Sequence, residues 1–490
     1  MGWILCLALS LAPSLQDSRS LREAFLKEID QPTKSGLSTK LDQCLALEQG
    51  VVRILHSSWL QSEKSIRDHQ KQLLLQEKEV EKYDDTKPGT KGGDPFKFIK
   101  AKAKRNEIKN SIALLELYQG RILRGILAQN HKSEEKDLIR LLKDGPAILR
   151  GYSALTLGKM DQEPSTKALL DTLKRERNPL VRVALLEALS GKDQALVFFE
   201  KDLKHTHWQV QISAARALAE TKDPASAEAL IKLLPKVSGR VRNEFNASLK
   251  SITGVDKRGN PESWKAWWVE NRESFLEGTY IPSIDERAAN RGKSTFYGIK
   301  IESKRILFLL DVSPSMKRPT TWYPENPLAR KELTGDRLID VARFELKQMV
   351  RSLSKDTLFN VMVFWRDRKL ALKKPGRGKG DRQDTLKFVE EISLQDGTDH
   401  WAAFSSAYET YGEASVKSNL PRLDFDTIYL ISDGVPSQGI RDPKMFLEKL
   451  SDMNRFRKIT THTIALDPDG NGAHFLREIA SITGGTYVER

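Results

Sequence analysis

Three short segments of this 490-residue chain place oxygen-bearing side chains at spacings that could hold a hard metal ion. The first, Asp311-Val-Ser-Pro-Ser315, sets a carboxylate and two hydroxyls at alternate positions, which converge on one point when the backbone turns tightly. The second is Asp396-Gly-Thr398 and the third Ser432-Asp433-Gly434. Carboxylate plus hydroxyls is a donor set for Mg²⁺ or Mn²⁺, whereas Zn²⁺ prefers nitrogen and sulfur. No Gly-x-Ser-x-Gly, His-Glu-x-x-His or Walker loop is present, and Gly376-Arg-Gly-Lys-Gly380 lacks the spacing that cradles phosphate. His205 and His207 have no further ligands nearby in sequence. A binding role, not an enzymatic one, is therefore expected.

The elements that must position these residues follow from periodicity. Strands are expected at Arg305 to Leu310, Leu358 to Trp365, Thr427 to Ile431, Ile459 to Ala465 and Gly485 to Glu489. Helices are expected at about Gly335 to Leu353, Asp384 to Glu391, Trp401 to Tyr411, Pro443 to Asp452 and Ala473 to Ile482. Buried apolar strands alternating with amphipathic helices imply a mostly parallel, doubly wound sheet. In such a sheet ligands collect at the C-terminal edge of the first central strand, where strand order reverses. Asp311 ends the first strand, and Ser432-Asp433 ends the strand from Thr427 at the same edge.

The three loops, in this chain order, resemble the metal-ion-dependent adhesion site of von Willebrand factor A (VWA) domains, and the resemblance covers roughly residues 304 to 490. It implies a Rossmann-like VWA fold in which Ser313 and Ser315 bind Mg²⁺ (or Mn²⁺) directly. Asp311 and Asp433 would act mainly through bound waters, and Thr398 directly or through water. It also implies that an acidic residue of a protein partner fills the open position on the ion. Two departures stand out: Pro314 replaces a small glycine and stiffens the loop, and Asp396 replaces the first glycine of a Gly-Gly-Thr turn, adding a carboxylate near the ion. A further oddity is the long segment Met316 to Thr334, where compact α/β units use about two to six residues. It carries Lys317, Arg318, Trp322 and Tyr323 among Pro319, Pro324 and Pro327, a combination of charge, aromatic surface and stiff backbone suited to a partner-binding wall.

Ahead of this domain the chain reads as helical. Val52, Trp59, Ile66, Leu73 and Val80 recur every seven residues in a helix from about 37 to 82, and Ile108, Leu115 and Ile122 answer them after a Gly/Pro-rich break, so residues 21–130 form a long helical hairpin. Residues 131–276 repeat at about 30-residue spacing on Ala147-Ile-Leu-Arg150, Pro179-Leu-Val-Arg182, Trp208-Gln-Val-Gln211 and Gly239-Arg-Val-Arg242. This pattern resembles short HEAT repeats, an α-solenoid closed by a helix bearing Trp264, Trp267 and Trp268. Residues 277–303 are a linker, and the fold class is multidomain: α followed by α/β.

A formal charge of +14 invites a nucleic-acid reading, but it divides as +5, +4 and +5 over residues 21–130, 131–280 and 281–490. An excess spread this evenly is not a nucleic-acid footprint, and no specific nucleic acid is expected. The apolar run Trp3 to Leu15 is about half a bilayer span and reads as the core of a signal peptide over residues 1–16, which places the mature protein outside the cytoplasm without a transmembrane span. The competing class is an accessory subunit of a cytoplasmic chelatase-type ATPase, excluded if the chain is exported; a purely structural metal site is the other alternative.

Overall fold

The computed structural model of the chain describes residues 18–30, 34–47, 49–83, 94–280, 295–296, 299–320, 333, 335–410 and 424–490. The expected signal segment and most of the expected linker lie outside them. The chain divides into two compact units, Met1–Arg175 and Glu176–Arg490.

The first unit is all helical: α1 (Ser18–Asp30), α2 (Lys34–Leu45), α3 (Val51–Lys82), α4 (Pro95–Leu127), α5 (Glu135–Asp144), α6 (Ala147–Met160) and α7 (Glu163–Arg175). α3 and α4 pack along one another, burying Val52, Trp59, Ile66 and Val80 on one helix and Ile108, Leu115, Ile122 and Ile126 on the other. Asp94 caps α4 by accepting from the Phe96 and Lys97 amides, and Pro95 takes the first helical position, where no amide is needed. The helix expected from 37 to 82 is in fact two, α2 and α3. Gly50 takes φ +78° at the break, and the amides of Gly50 and Val52 donate to the Glu134 carboxylate at 2.5 and 2.9 Å. A carboxylate from far along the chain thus caps α3, which no local pattern announces.

The second unit begins with α8 (Pro179–Ala188), α9 (Leu196–Asp202), α10 (Trp208–Thr221), α11 (Ala225–Leu233), α12 (Gly239–Thr253) and α13 (Pro261–Leu276). α10 packs between α8 and α12, and buried Ala184, Ala214, Ala215 and Ala217 let the helices approach closely. The spacing of Arg182, Gln211 and Arg242 has a shared physical basis. Each donates to a backbone carbonyl just upstream: Arg182 to Glu176 at 3.0 Å, Gln211 to Leu203 at 3.2 Å and Arg242 to Val237 at 2.8 Å. The helices range from seven to sixteen residues, so the region is helical without showing regular HEAT units. Trp264, Trp267 and Trp268 are buried, Trp264 against Trp267 edge-on at 5.5 Å between ring centroids. Asn246, formally a glycosylation sequon position, is committed inward: its Oδ1 accepts from Trp264 Nε1 at 2.8 Å and from the Gly259 amide at 2.6 Å.

The α/β part follows in the same unit. A six-stranded sheet contains β1 (Arg305–Asp311), β2 (Leu358–Phe364), β3 (Arg368–Leu370), β4 (Thr427–Ser432), β5 (Thr460–Ala465) and β6 (Tyr487–Glu489), in the order β3-β2-β1-β4-β5-β6. All pairs are parallel except β2 with β3, a short exposed edge strand that the sequence reading missed. The order reverses between β1 and β4, so a crevice is expected at their C-terminal ends. Ile306, Phe308 and Leu310 pack with Leu338, Ile339, Ala342 and Leu346 of α14 (Leu338–Ser352) and with Val389 of α15 (Lys379–Glu390). α16 (His400–Thr410), α17 (Pro443–Asn454) and α18 (Gly470–Thr483) meet through an aromatic cluster of Phe404, Phe446 and Phe475.

The opposite, N-terminal edge of the sheet is fastened to α12. Arg240 lies under Trp208, its guanidinium 5.2 Å from the ring centroid, and donates to the Asp426 and Lys458 carbonyls at 2.7 and 2.5 Å, which stand just before β4 and β5. Lys458 and Arg455 both pair with Glu187 on α8. Among the described residues no helix is long and apolar enough to cross a membrane.

Replacing Trp264 with Ala removes a fully buried side chain and leaves Asn246 without one partner. A loss of about 3–5 kcal/mol is expected in urea unfolding of the full chain. Trp264→Phe, which keeps most of the volume, should lose distinctly less; equal losses would mean that the hydrogen bond outweighs the packing.

Candidate metal centre

β1 and β4 are hydrogen-bonded neighbours in parallel register, Leu310 opposite Ile431. The register sets Asp311 level with Ser432 and carries Asp433 one residue beyond the sheet. The chain then turns at once: Ser313 is extended, and Pro314 opens a single 3-10 turn, Pro314–Lys317, that brings Ser315 back over the strand end. Proline's fixed φ and missing amide suit that first position, so the stiffening read from Pro314 has a concrete form.

The side chains meet as a chain of short contacts. The Ser313 amide donates to Asp311 Oδ1 at 2.8 Å, Ser313 Oγ lies 3.0 Å from Ser315 Oγ, and the Ser315 hydroxyl donates to Asp433 Oδ1 at 3.0 Å. Asp311 and Ser313 are fully buried and Ser315 is exposed, so the cluster runs from the sheet interior to the surface. Thr398 is buried on a separate loop. Its loop is held by the Gln395 amide donating to the Val312 carbonyl at 2.8 Å, and the Thr398 carbonyl accepts from the Ser437 and Gln438 amides, both at 3.0 Å. Gly397 between these anchors takes φ +86°, where a side chain would also press on Gln438 and Arg366. Asp396, read as a carboxylate near the ion, instead lies 77% exposed and pairs with Arg366. The N-terminus of α18 closes the far side so tightly that a Cβ on Gly472 would stand 2.8 Å from Gly434 Cα.

Beneath the cluster lie Ser432, read in the sequence only as the neighbour of Asp433, and His400, which had no signal there. The Ser432 hydroxyl donates to Asp311 Oδ2 at 2.7 Å and lies 3.2 Å from His400 Nε2. His400 is fully buried against Phe364, Phe446 and Phe475, and burial pushes its pKa down to about 3, so the ring is neutral. The Ser432 hydroxyl thus stands between the His400 ring and the Asp311 carboxyl. Burial first, and the nearby Asp433 charge second, push the Asp311 carboxyl up to about 7 against the pull of the Ser432 and Ser313 hydrogen bonds.

The residues read as a partner wall are divided. Lys317 is exposed at the rim. Arg318 donates to Asp433 Oδ2 at 3.1 Å and to the side chain and carbonyl of Asp467 at 3.1 and 2.8 Å. Trp322 and Tyr323 lie outside the described residues, but the ends of their segment are closed together: Pro319 pairs with Arg337, and the Thr320 amide donates to Asp336 at 2.7 Å. Among the described residues no cluster of three or more His, Cys, Asp or Glu side chains could hold a metal; the two carboxylates at this site are supplemented by hydroxyls, an all-oxygen set.

A family model described as von Willebrand factor type A domain matches residues 334–489, and a VWA-like domain is present there. The match begins after the Asp311 to Ser315 loop. No curated protein matches the chain. Among solved structures, the conserved hypothetical protein BatB from Bacteroides thetaiotaomicron is 18% identical with a TM-score of 0.27, the alignment covering 38% of this chain and 89% of that one. Proximal thread matrix protein 1 from the mussel byssus, in a form with a zinc-occupied MIDAS motif, is also 18% identical with a TM-score of 0.27, covering 38% and 43%.

The raised Asp311 pKa gives a pH prediction for protein held in chelator. A carboxyl whose folded pKa lies near 7, above its unfolded value of about 4, favours folding while protonated. Its contribution is fully present below about pH 4 and is lost as pH rises through about 7, on the order of a few kcal/mol. Asp311→Asn removes this term, so its stability relative to the native chain should grow between pH 5 and pH 8 in urea titrations. A constant difference across that range would show that the carboxyl ionises freely in the fold.

Proposed function

We propose that the α/β domain holds Mg²⁺ (or Mn²⁺) on Ser313, Ser315 and Thr398, with Asp311 and Asp433 acting mainly through water, and that the ion captures an acidic group of a protein partner. The observation that carries this reading is the run of 3.0 Å contacts joining Ser313, Ser315 and Asp433 Oδ1 across two strand ends. Hydroxyls and carboxylates meet there at a topological switch point, with Ser315 open to solvent. Burial first and the Asp433 charge second raise the Asp311 pKa, and a divalent ion would supply positive charge that both effects call for. Because the direct donors are neutral hydroxyls and both carboxylates act through water, the ion's own ligand shell carries little protein charge and can accept an anionic ligand.

The rest of the reading is organisational. The domain spans residues 304–490, residues 131–276 are HEAT-like helical repeats that act as a scaffold, and residues 21–130 are a long helical hairpin. Lys317, Arg318, Trp322 and Tyr323 are the proposed partner-binding residues. The protein works outside the cytoplasm as a non-catalytic binding scaffold.

Adding Mg²⁺ to the full chain should raise its thermal midpoint, by the equivalent of about 2.7 kcal/mol at one hundred times the Kd. Asp311→Asn, which keeps the volume, should abolish that rise and any Mg²⁺-dependent recovery of partner in pull-downs run with Mg²⁺ and with chelator. A midpoint indifferent to Mg²⁺ and Mn²⁺ in the native chain would overturn the proposal.

A further inference from the structure

We propose that Arg318 is a tethered counter-cation that competes with the divalent ion for Asp433, so that the site opens only when the guanidinium leaves. This rests on the reading that the cluster binds a divalent ion. The two carboxylate oxygens of Asp433 face different groups: Oδ1 accepts from Ser315 inside the cluster, and Oδ2 accepts from Arg318 at 3.1 Å. The guanidinium therefore neutralises the outer carboxylate at the position where an ion would act.

The latch is built from fixed backbone and a movable head. The Arg318 amide donates to the Ser315 carbonyl at 3.0 Å, and its own carbonyl accepts from the Leu338 amide at 2.9 Å, so the residue is anchored on both sides. Its side chain is 44% exposed, which lets the head swing into solvent without disturbing the core. The catch on the other side is Asp467, the second residue after β5. It takes φ +44°, a left-handed conformation uncommon outside glycine, and its amide donates to the Arg490 carbonyl at 2.6 Å. In that conformation both its carbonyl and its carboxylate meet Arg318. The Asp467 arm of the contact, exposed on both sides, is weak, while the Asp433 carboxylate is buried, so release of the guanidinium starts at Asp467. A guanidinium also has no acceptor atom and cannot join an ion's ligand shell, so the two cations exclude one another at Asp433. Once released, Arg318 stands beside Lys317 at the rim, where its charge would favour an acidic ligand.

The test is Mn²⁺ binding to the full chain, read by electron paramagnetic resonance of the free ion and repeated with Mg²⁺ by calorimetry. Arg318→Ala should bind either ion about 3- to 10-fold more tightly than the native chain, and Arg318→Lys, which keeps the charge but loses the fork, should fall between. Asp467→Asn weakens the catch without touching Asp433 and should shift affinity in the same direction. Unchanged or weaker ion binding by Arg318→Ala and Asp467→Asn, with normal binding by the native chain, would overturn the latch and leave the metal site standing. Absence of binding in all four proteins would overturn both.

Discussion

Two like charges at the ends of adjacent strands are the constraint around which the α/β domain is arranged. Parallel neighbours lie about 4.8 Å apart, and the β1–β4 register leaves Asp311 and Asp433 separated by little more than one strand spacing and one residue. Asp311 is fully buried, so its charge has no water to relieve it. The fold answers with directed dipoles: the Ser313 amide on one oxygen, the Ser432 hydroxyl on the other and a neutral His400 behind the serine. Burial among aromatic rings keeps His400 neutral, so no positive charge stands behind Ser432. The core beneath the site is thus part of its electrostatics.

Much of this was legible because it is encoded locally. The apolar runs predicted β1, β2, β4, β5 and β6 within about two residues, and two of the three oxygen-rich loops stand at strand ends, where the order of a doubly wound sheet puts them, while the third joins α15 to α16. What escaped was set by partners distant in sequence. Glu134 interrupts an otherwise continuous helical pattern by capping α3 from 84 residues away. β3 is three residues long and mostly charged, so it has no apolar signature; it pairs because β2 offers an open edge. Arg318 looks like a solvent-facing cation until Asp433 and Asp467 arrive from 115 and 149 residues downstream. His400 stands two residues after Thr398, yet only the packing of α16, α17 and α18 shows that it faces the core.

The helices from Pro179 to Leu276 depend on a different economy. Arg182, Gln211 and Arg242 satisfy nearby carbonyls, so their spacing records backbone hydrogen bonding as much as hydrophobic stacking. Arg240, one residue into the last of these segments, is used differently. It donates to carbonyls of the sheet, which turns a helical motif into an attachment point.

That attachment has a mechanical consequence. β4 carries the Asp426 carbonyl held by Arg240 at its start and Ser432-Asp433 at its end, so one strand of six residues, about 20 Å long, joins the scaffold to the oxygen cluster. A pull applied at the cluster runs along this strand toward α12. β1 and β5 flank it in parallel, and their hydrogen bonds lie across the line of force. They are loaded together in shear instead of parting one after another, so tension applied at the cluster is shared across the centre of the sheet before it reaches the helices.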